Sequence, residues 1–143
     1  MIGAAALMDA PNQFYFEDLE IGKVQVTPAM TVTETHVALY GGLVGVAAAP
    51  GAAQDLLPLC LSVGLGWRVP QPPIVVLAFM GFEWKFIMPA HVGDTIRSAS
   101  KPVAKRLLKE GGVVIEERNI LNQRDEVLQT GKLTLLVARR PAR

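Results

Sequence analysis

The 143-residue chain supports one ordinary domain and is too short for two comfortable ones. Half of its residues are hydrophobic, 19% are charged and the formal net charge is +1, so no electrostatic pull toward nucleic acid or acidic membranes is implied. A charged share this low, in a chain this small, points to a surface partly covered by another subunit.

Residues 1–12 open with the apolar run MIGAAALM, which lacks the basic region and the length of a signal peptide. They are expected to be a mobile N-terminal tail ahead of a single domain, 13–140, with 141–143 as a C-terminal tail. No apolar run approaches the roughly 18 residues that span a bilayer. Cys60 is the single cysteine, which excludes an intrachain disulfide and a thiolate metal cluster. It is expected to be a small buried hydrophobe, and a lone cysteine fits a reducing cytoplasm. With two histidines besides, no metal site is expected.

FYFEDLEIG (14–22) is an aromatic anchor followed by an acidic turn. KVQVTPAM (23–30) alternates like a strand that Pro28 interrupts. In TVTETHVALYGG, Thr31 and Glu34 have capping-box spacing, with Thr33 a competing N-cap. A helix of about two turns is predicted there, stopped by Gly41-Gly42. A second helix is predicted to start after Pro50-Gly51 and to run to about Gly64. It is apolar on most faces and so buried nearly all round, and Pro58 either kinks it or marks its true start.

The remainder reads as strands. Residues 74–88, 95–108, 113–122 and 127–139 are β-rich runs, separated by turns at HVGD (91–94), Gly111-Gly112 and NQRDE (122–126). A strand of ~14 residues spans ~46 Å and must curl. A curled antiparallel sheet with one apolar helix available wraps that helix. The expectation is an α+β hot-dog fold, a long curved antiparallel sheet around one central apolar helix, with its edges hidden by dimerisation.

Four blocks then carry a resemblance: FYFEDLEIGKV, TVTETHVALYGGLVG, FEWKFIMPAHVGDTI and NQRDEVLQTG. In that order they resemble the MaoC-like dehydratases, the (R)-specific enoyl-CoA hydratase group. Phe86, Pro89, Gly93, Asp94 and Thr95 form the most telling element. The resemblance implies a hot-dog dimer that binds acyl thioesters of CoA or acyl carrier protein and adds or removes water across a 2,3-enoyl thioester. It implies no cofactor. In the family, backbone N–H groups at the start of the central helix polarise the carbonyl. An Asp and a His of an Asp-x-Asn-Pro-x-His loop move the protons.

That loop should follow Leu43-Val44-Gly45. Its Asp falls on Val46, its Asn on Ala48 and its His on Gly51, none able to transfer a proton. The segment is also shorter than the family's, which carries a His-Gly pair before the helix. From Ala38 up to Asp55, Tyr40 is the one titratable side chain. Asp55 is left as the candidate catalytic residue. It is either a carboxylate stabilised about one turn into the central helix or a general base for thioester chemistry. Gly51, Ala52 and Gln54 are the candidate substrate-binding residues, Gln54 as an orienter of water.

The other candidates have structural readings. His36 is expected to cap or face solvent, His91 to face solvent, and Asp94 to hold its turn. Gly64-x-Gly66 lacks the strand and third glycine of a nucleotide loop. Trp67 and Trp84 are expected as core or interface aromatics. Lys101, Lys105, Arg106 and Lys109 form a solvated strand face or meet CoA phosphates. Two functions remain open. One is a thioester-binding subunit without its own Asp/His dyad, in a homodimer or in a heterodimer with a related hot-dog subunit. The other is a self-sufficient thioesterase, dehydratase or cyclase that uses Asp55 as base.

Overall fold

The computed structural model describes residues 12–69 and 72–142. The expected N-terminal tail, Asn12 apart, and the last residue of the C-terminal tail lie outside these. A 3-10 turn (Phe16–Asp18) leads into two short strands, β1 (Gln25–Val26) and β2 (Met30–Thr31). Two helices follow, α1 (Glu34–Val44) and α2 (Leu57–Gly66). Four long strands complete the fold: β3 (Val76–Phe86), β4 (Thr95–Leu108), β5 (Gly111–Leu121) and β6 (Val127–Val137).

The sheet order is β1-β4-β5-β6-β3, with β2 also on β4, and every pairing is antiparallel. The long strands and the turns at HVGD and NQRDE lie where the alternating pattern places them. The turn expected at Gly111-Gly112 falls instead on Lys109-Glu110, and both glycines open β5; a Cβ at Gly112 would stand 2.0 Å from the Phe16 ring, so close packing and not a turn calls for glycine there. Pro102 coincides with an irregularity in the β4–β5 register, between Pro102 and Ala104, as a residue without an N–H requires. The predicted strand at 23–30 is two fragments, each pairing with β4 on either side of Pro28.

The sheet carries α2 across β4 and β5. Leu57 of α2 joins Val32, Ala90, Ile96, Ile120 and Leu128 in the main core, with Leu59, Leu61 and Trp84 packed against it. A second cluster seats Phe16 on Val114, Leu135 and Val137, and the Lys105 ammonium lies 4.5 Å from the Phe16 ring centre. Lys101 pairs with Glu117, so part of the basic strand face is engaged within the chain.

The helices depart from expectation in three ways. First, α1 runs through Gly41-Gly42 for 11 residues. Two glycines cost ~1 kcal/mol each in a helix, too little to stop one that already has a cap at each end. Thr33 is the N-cap; its hydroxyl accepts from the His36 N–H, while His36 Nδ1 accepts from the Thr33 N–H. Thr31 instead lies in β2, its hydroxyl 2.8 Å from that of Thr95. Gly45, left-handed at φ 73°, closes the helix through its N–H to Gly41 O.

Second, α2 begins at Leu57, so Asp55 precedes the helix and does not sit one turn inside it. Residues 51–53 are tied to the β3–β4 turn: Val92 N–H donates to Gly51 O, Ala53 N–H donates to Ala90 O, and Ala52 bridges His91. That bonding excludes a helical path. Pro58 sits in the first turn, where an N–H is not needed. Third, α2 is buried on one face only. Leu57, Pro58, Ser62 and Leu65 are buried, whereas Cys60 and Val63 are exposed. The expectation of a buried Cys60 is therefore corrected: no described element covers that side of the helix. No described helix is long and apolar enough to cross a membrane.

The 3-10 turn and the segment after β6 are strapped together. Arg140 N–H donates to Glu17 Oε2 at 3.0 Å, and Arg139 pairs with the same carboxylate. These contacts, the backbone N–H first, hold the Glu17 carboxyl below its ordinary value of 4.5. A depressed carboxylate contributes stability above its unfolded value and loses it as pH falls through the folded value. Glu17→Gln is therefore expected to leave neutral stability slightly reduced and to flatten the acid limb below about pH 4.5. Thermal melts at stepped pH read this directly.

Candidate functional site

A cleft of about 510 Å³ lies between the first helix and the short connection that leads to the second. One wall is a single face of α1: Glu34, Val37, Ala38 and Gly41, spaced three and four residues apart. The other wall is the loop from Gly45 through Gly51 and Ala52 to Gln54, with Val92 from the β3–β4 turn. Small side chains dominate because Ala47, Ala48 and Ala49 lie in sequence along the loop. The lining carries one titratable side chain among the described residues, Glu34.

The structure brings Gly51, Ala52 and Gln54 together in this cleft, while Asp55 does not line it. Asp55 is exposed, and its side chain makes no hydrogen bond or ion pair among the described residues. Gln54 is 7% exposed. Its amide nitrogen donates to Val37 O at 2.9 Å and to Val46 O at 3.0 Å. Both amide hydrogens are thus committed to backbone, and Gln54 staples the loop to α1. Oε1 stays buried without a partner among the described residues. Gly41 leaves room for this staple: a Cβ there would stand 3.0 Å from Val46 O and 3.2 Å from the Gln54 amide nitrogen.

Val46, Ala48 and Gly51, the positions expected to correspond to the Asp-x-Asn-Pro-x-His loop, carry no titratable side chain. Gly51 adopts φ 75°, so a side chain there would add left-handed strain as well as its own bulk. His36 is engaged in capping α1. His91 and Asp94 share the β3–β4 turn. The Asp94 carboxylate accepts from the His91 N–H at 2.9 Å, lies 3.8 Å from its Nδ1, and accepts from Gln123 Nε2 at 3.1 Å. This is turn-holding geometry, and neither residue lines the cleft.

Sequence reasoning saw Glu34 only as a capping-box residue, read Trp84 as a core or interface aromatic without its polar partner, and passed over Gln129. Gln129 is 2% exposed. Its amide nitrogen donates to Asp55 O at 2.6 Å, and its oxygen accepts from the Trp84 indole N–H at 2.9 Å. No sequence signal links residues separated by 74 and 45 positions in this way.

Gln54→Leu should lower stability by roughly 1–3 kcal/mol, because it leaves Val46 O facing an apolar group. Denaturant melts measure that loss. Gly41→Ala should push in the same direction by a smaller amount.

Neither a family model nor a curated protein matches the sequence. Solved structures do match. A monoamine oxidase regulatory protein from Archaeoglobus fulgidus aligns with 27% identity and a TM-score of 0.83, over 92% of this chain and 99% of that one. A MaoC-like dehydratase from Rhodospirillum rubrum aligns with 19% identity and a TM-score of 0.75, over 90% and 99%. An (R)-hydratase from Pseudomonas aeruginosa aligns with 16% identity and a TM-score of 0.72, over 89% and 87%. The chain has the α+β hot-dog fold, and its structural neighbours are MaoC-like dehydratases and (R)-hydratases.

Proposed function

We propose that the chain is a MaoC-like hot-dog subunit that binds an acyl or enoyl thioester of CoA or acyl carrier protein. It lacks its own Asp/His dyad, and a second protomer supplies what hydration requires. The acyl group enters the small-residue cleft beside α1, and the thioester carbonyl meets the start of α2. The observation that carries this reading is the lining itself: Ala47 to Ala52 and Gln54 bound a space whose one titratable neighbour among the described residues is Glu34 at the first turn of α1. A structurally similar Streptococcus mutans protein, 12% identical with a TM-score of 0.59, is bound to acetyl-CoA, which supports the ligand class.

A protomer partner is favoured by the sheet edge. β3 ends the strand order, and Phe79, Met80, Phe82 and Phe86 on it are at least half exposed. An edge strand this apolar invites pairing. Val63 and Trp67 extend the exposed apolar surface at α2. The double substitution Phe79→Asp and Phe82→Asp is expected to convert a dimer to monomer, read by light scattering after size exclusion. An unchanged mass would remove this edge from the interface.

The second reading, a self-sufficient enzyme with Asp55 as base, is favoured by one observation: the carboxylate is exposed and unpaired just before α2. One assay separates the two. The purified chain is titrated with crotonyl-CoA and acyl-CoAs, then tested for hydration and hydrolysis, alone and with a dyad-bearing hot-dog partner. The subunit reading expects binding, with hydration by the chain alone slower by ~10²–10⁴-fold for want of acid–base groups. Turnover by the chain alone that Asp55→Asn abolishes would select the second reading. Failure to bind any thioester would end both.

A further inference from the structure

The first turn of α2 is entered through a local backbone turn, Leu57 N–H donating to Gln54 O at 3.1 Å, and has no side-chain cap. Its N-cap is Leu56, which carries no side-chain acceptor, and Pro58 follows within the first turn. The peptide that enters the helix is instead held from the sheet. Gln129 on β6 donates to Asp55 O at 2.6 Å, and Trp84 on β3 donates to the Gln129 oxygen at 2.9 Å. Trp84 reaches that oxygen across Gly131, its register partner. A Cβ at Gly131 would lie 2.4 Å from the indole and 2.1 Å from Glu83 O, so a glycine is needed there.

A trans peptide carries its C=O and N–H on opposite sides, and none of the described peptides is cis. Drawing Asp55 O toward β6 therefore turns the Leu56 N–H away from the sheet, to the side on which Asp55 and Leu56 are exposed. Among the described residues neither the Asp55 nor the Leu56 N–H has an acceptor. Both stand at the positive end of α2. Preorganised donors of this kind stabilise developing negative charge because they need no rearrangement when it appears. The clamp is itself rigid, since Gln129 is almost fully buried and both halves of its amide are bonded.

We propose that Trp84 and Gln129 are positioning residues that lock the Asp55–Leu56 peptide so that its N–H polarises a bound thioester carbonyl. The proposal rests on the thioester reading above. It assigns to two sheet residues the task that a side-chain cap would otherwise perform.

The test uses the full chain and crotonyl-CoA labelled with 13C at the thioester carbonyl. Difference Raman spectra report the carbonyl stretch, and backbone resonances of Asp55 C′ and Leu56 N–H report the peptide without ligand. Wild type is expected to lower the carbonyl frequency on binding. Gln129→Leu is expected to bind the probe, to lose most of that lowering and to shift both resonances. Trp84→Phe, a milder change that keeps a buried ring, should lose part of it. Gln129→Glu adds a rescue: its carboxyl can donate to Asp55 O only when protonated, so the lowering should return as pH falls. A carbonyl frequency equal to wild type in Gln129→Leu would overturn the proposal, as would a lowering in Gln129→Glu that is independent of pH. If wild type binds no probe, the thioester reading fails and the carbonyl role fails with it, an outcome distinct from binding with an unchanged frequency in Gln129→Leu; unshifted ligand-free resonances in Gln129→Leu would overturn the clamp as well.

Discussion

The arrangement at the functional end depends on how the start of α2 is moored. A helix of ten residues that opens on Leu-Pro cannot cap itself, and an isolated helix that short would be marginal in water. Three sets of long-range bonds take over. Residues 51–53 bond to the β3–β4 turn, Gln54 bonds back to α1 and to Val46, and Gln129 bonds to Asp55. Each acts on a different stretch of the loop, so the path from α1 to α2 is fixed along its length. Apolar contact of Leu57 with Ile96, Ile120 and Leu128 then seats the helix on the sheet.

This mooring explains how the cleft keeps its shape with so little side-chain bulk. The loop residues Ala47, Ala48 and Ala49 contribute almost nothing beyond backbone. A wall of alanines and glycines holds its form only if the backbone is bonded elsewhere, and Gln54 supplies that bonding from beneath. The nearly full burial of Gln54, with both amide hydrogens used, is the mark of a structural group. Whatever occupies the cleft meets backbone, methyl groups and one carboxylate at the rim.

The sheet was legible because its signal is local. Alternation in 127–137 and the HVGD and NQRDE turns each mark their own place in the chain, whereas Gly111-Gly112 misled by two residues, because these glycines make room for packing inside β5. The order of elements then leads to the fold on geometric grounds. The helix ends were harder to place. Gly41-Gly42 has the composition of a stop, yet cap bonds at Thr33 and Gly45 outweigh the propensity of two residues. The predicted start after Pro50-Gly51 failed because pairing of Ala52 with His91 claims that backbone for a bridge, and Pro58, the other start the sequence offered, marks the true one. Of the cleft lining, Gly51, Ala52 and Gln54 were named from sequence because they lie within one connection, whereas Asp55, named beside them, falls outside it. Gln129 could not, because a glutamine in an alternating strand gives no sign that it faces a carbonyl 74 residues away.

One of the two tryptophans is part of the clamp. Trp67 stands 60% exposed near the end of α2, whereas Trp84 is half-buried with its indole nitrogen committed to Gln129. An indole in that setting emits at shorter wavelength than one in water, and its emission responds to the hydrogen bond at its nitrogen. The protein thus carries an intrinsic fluorophore wired to the entrance of its central helix. Disturbance of that entrance, by a ligand or by a neighbouring subunit, should be visible as a change of colour without any label.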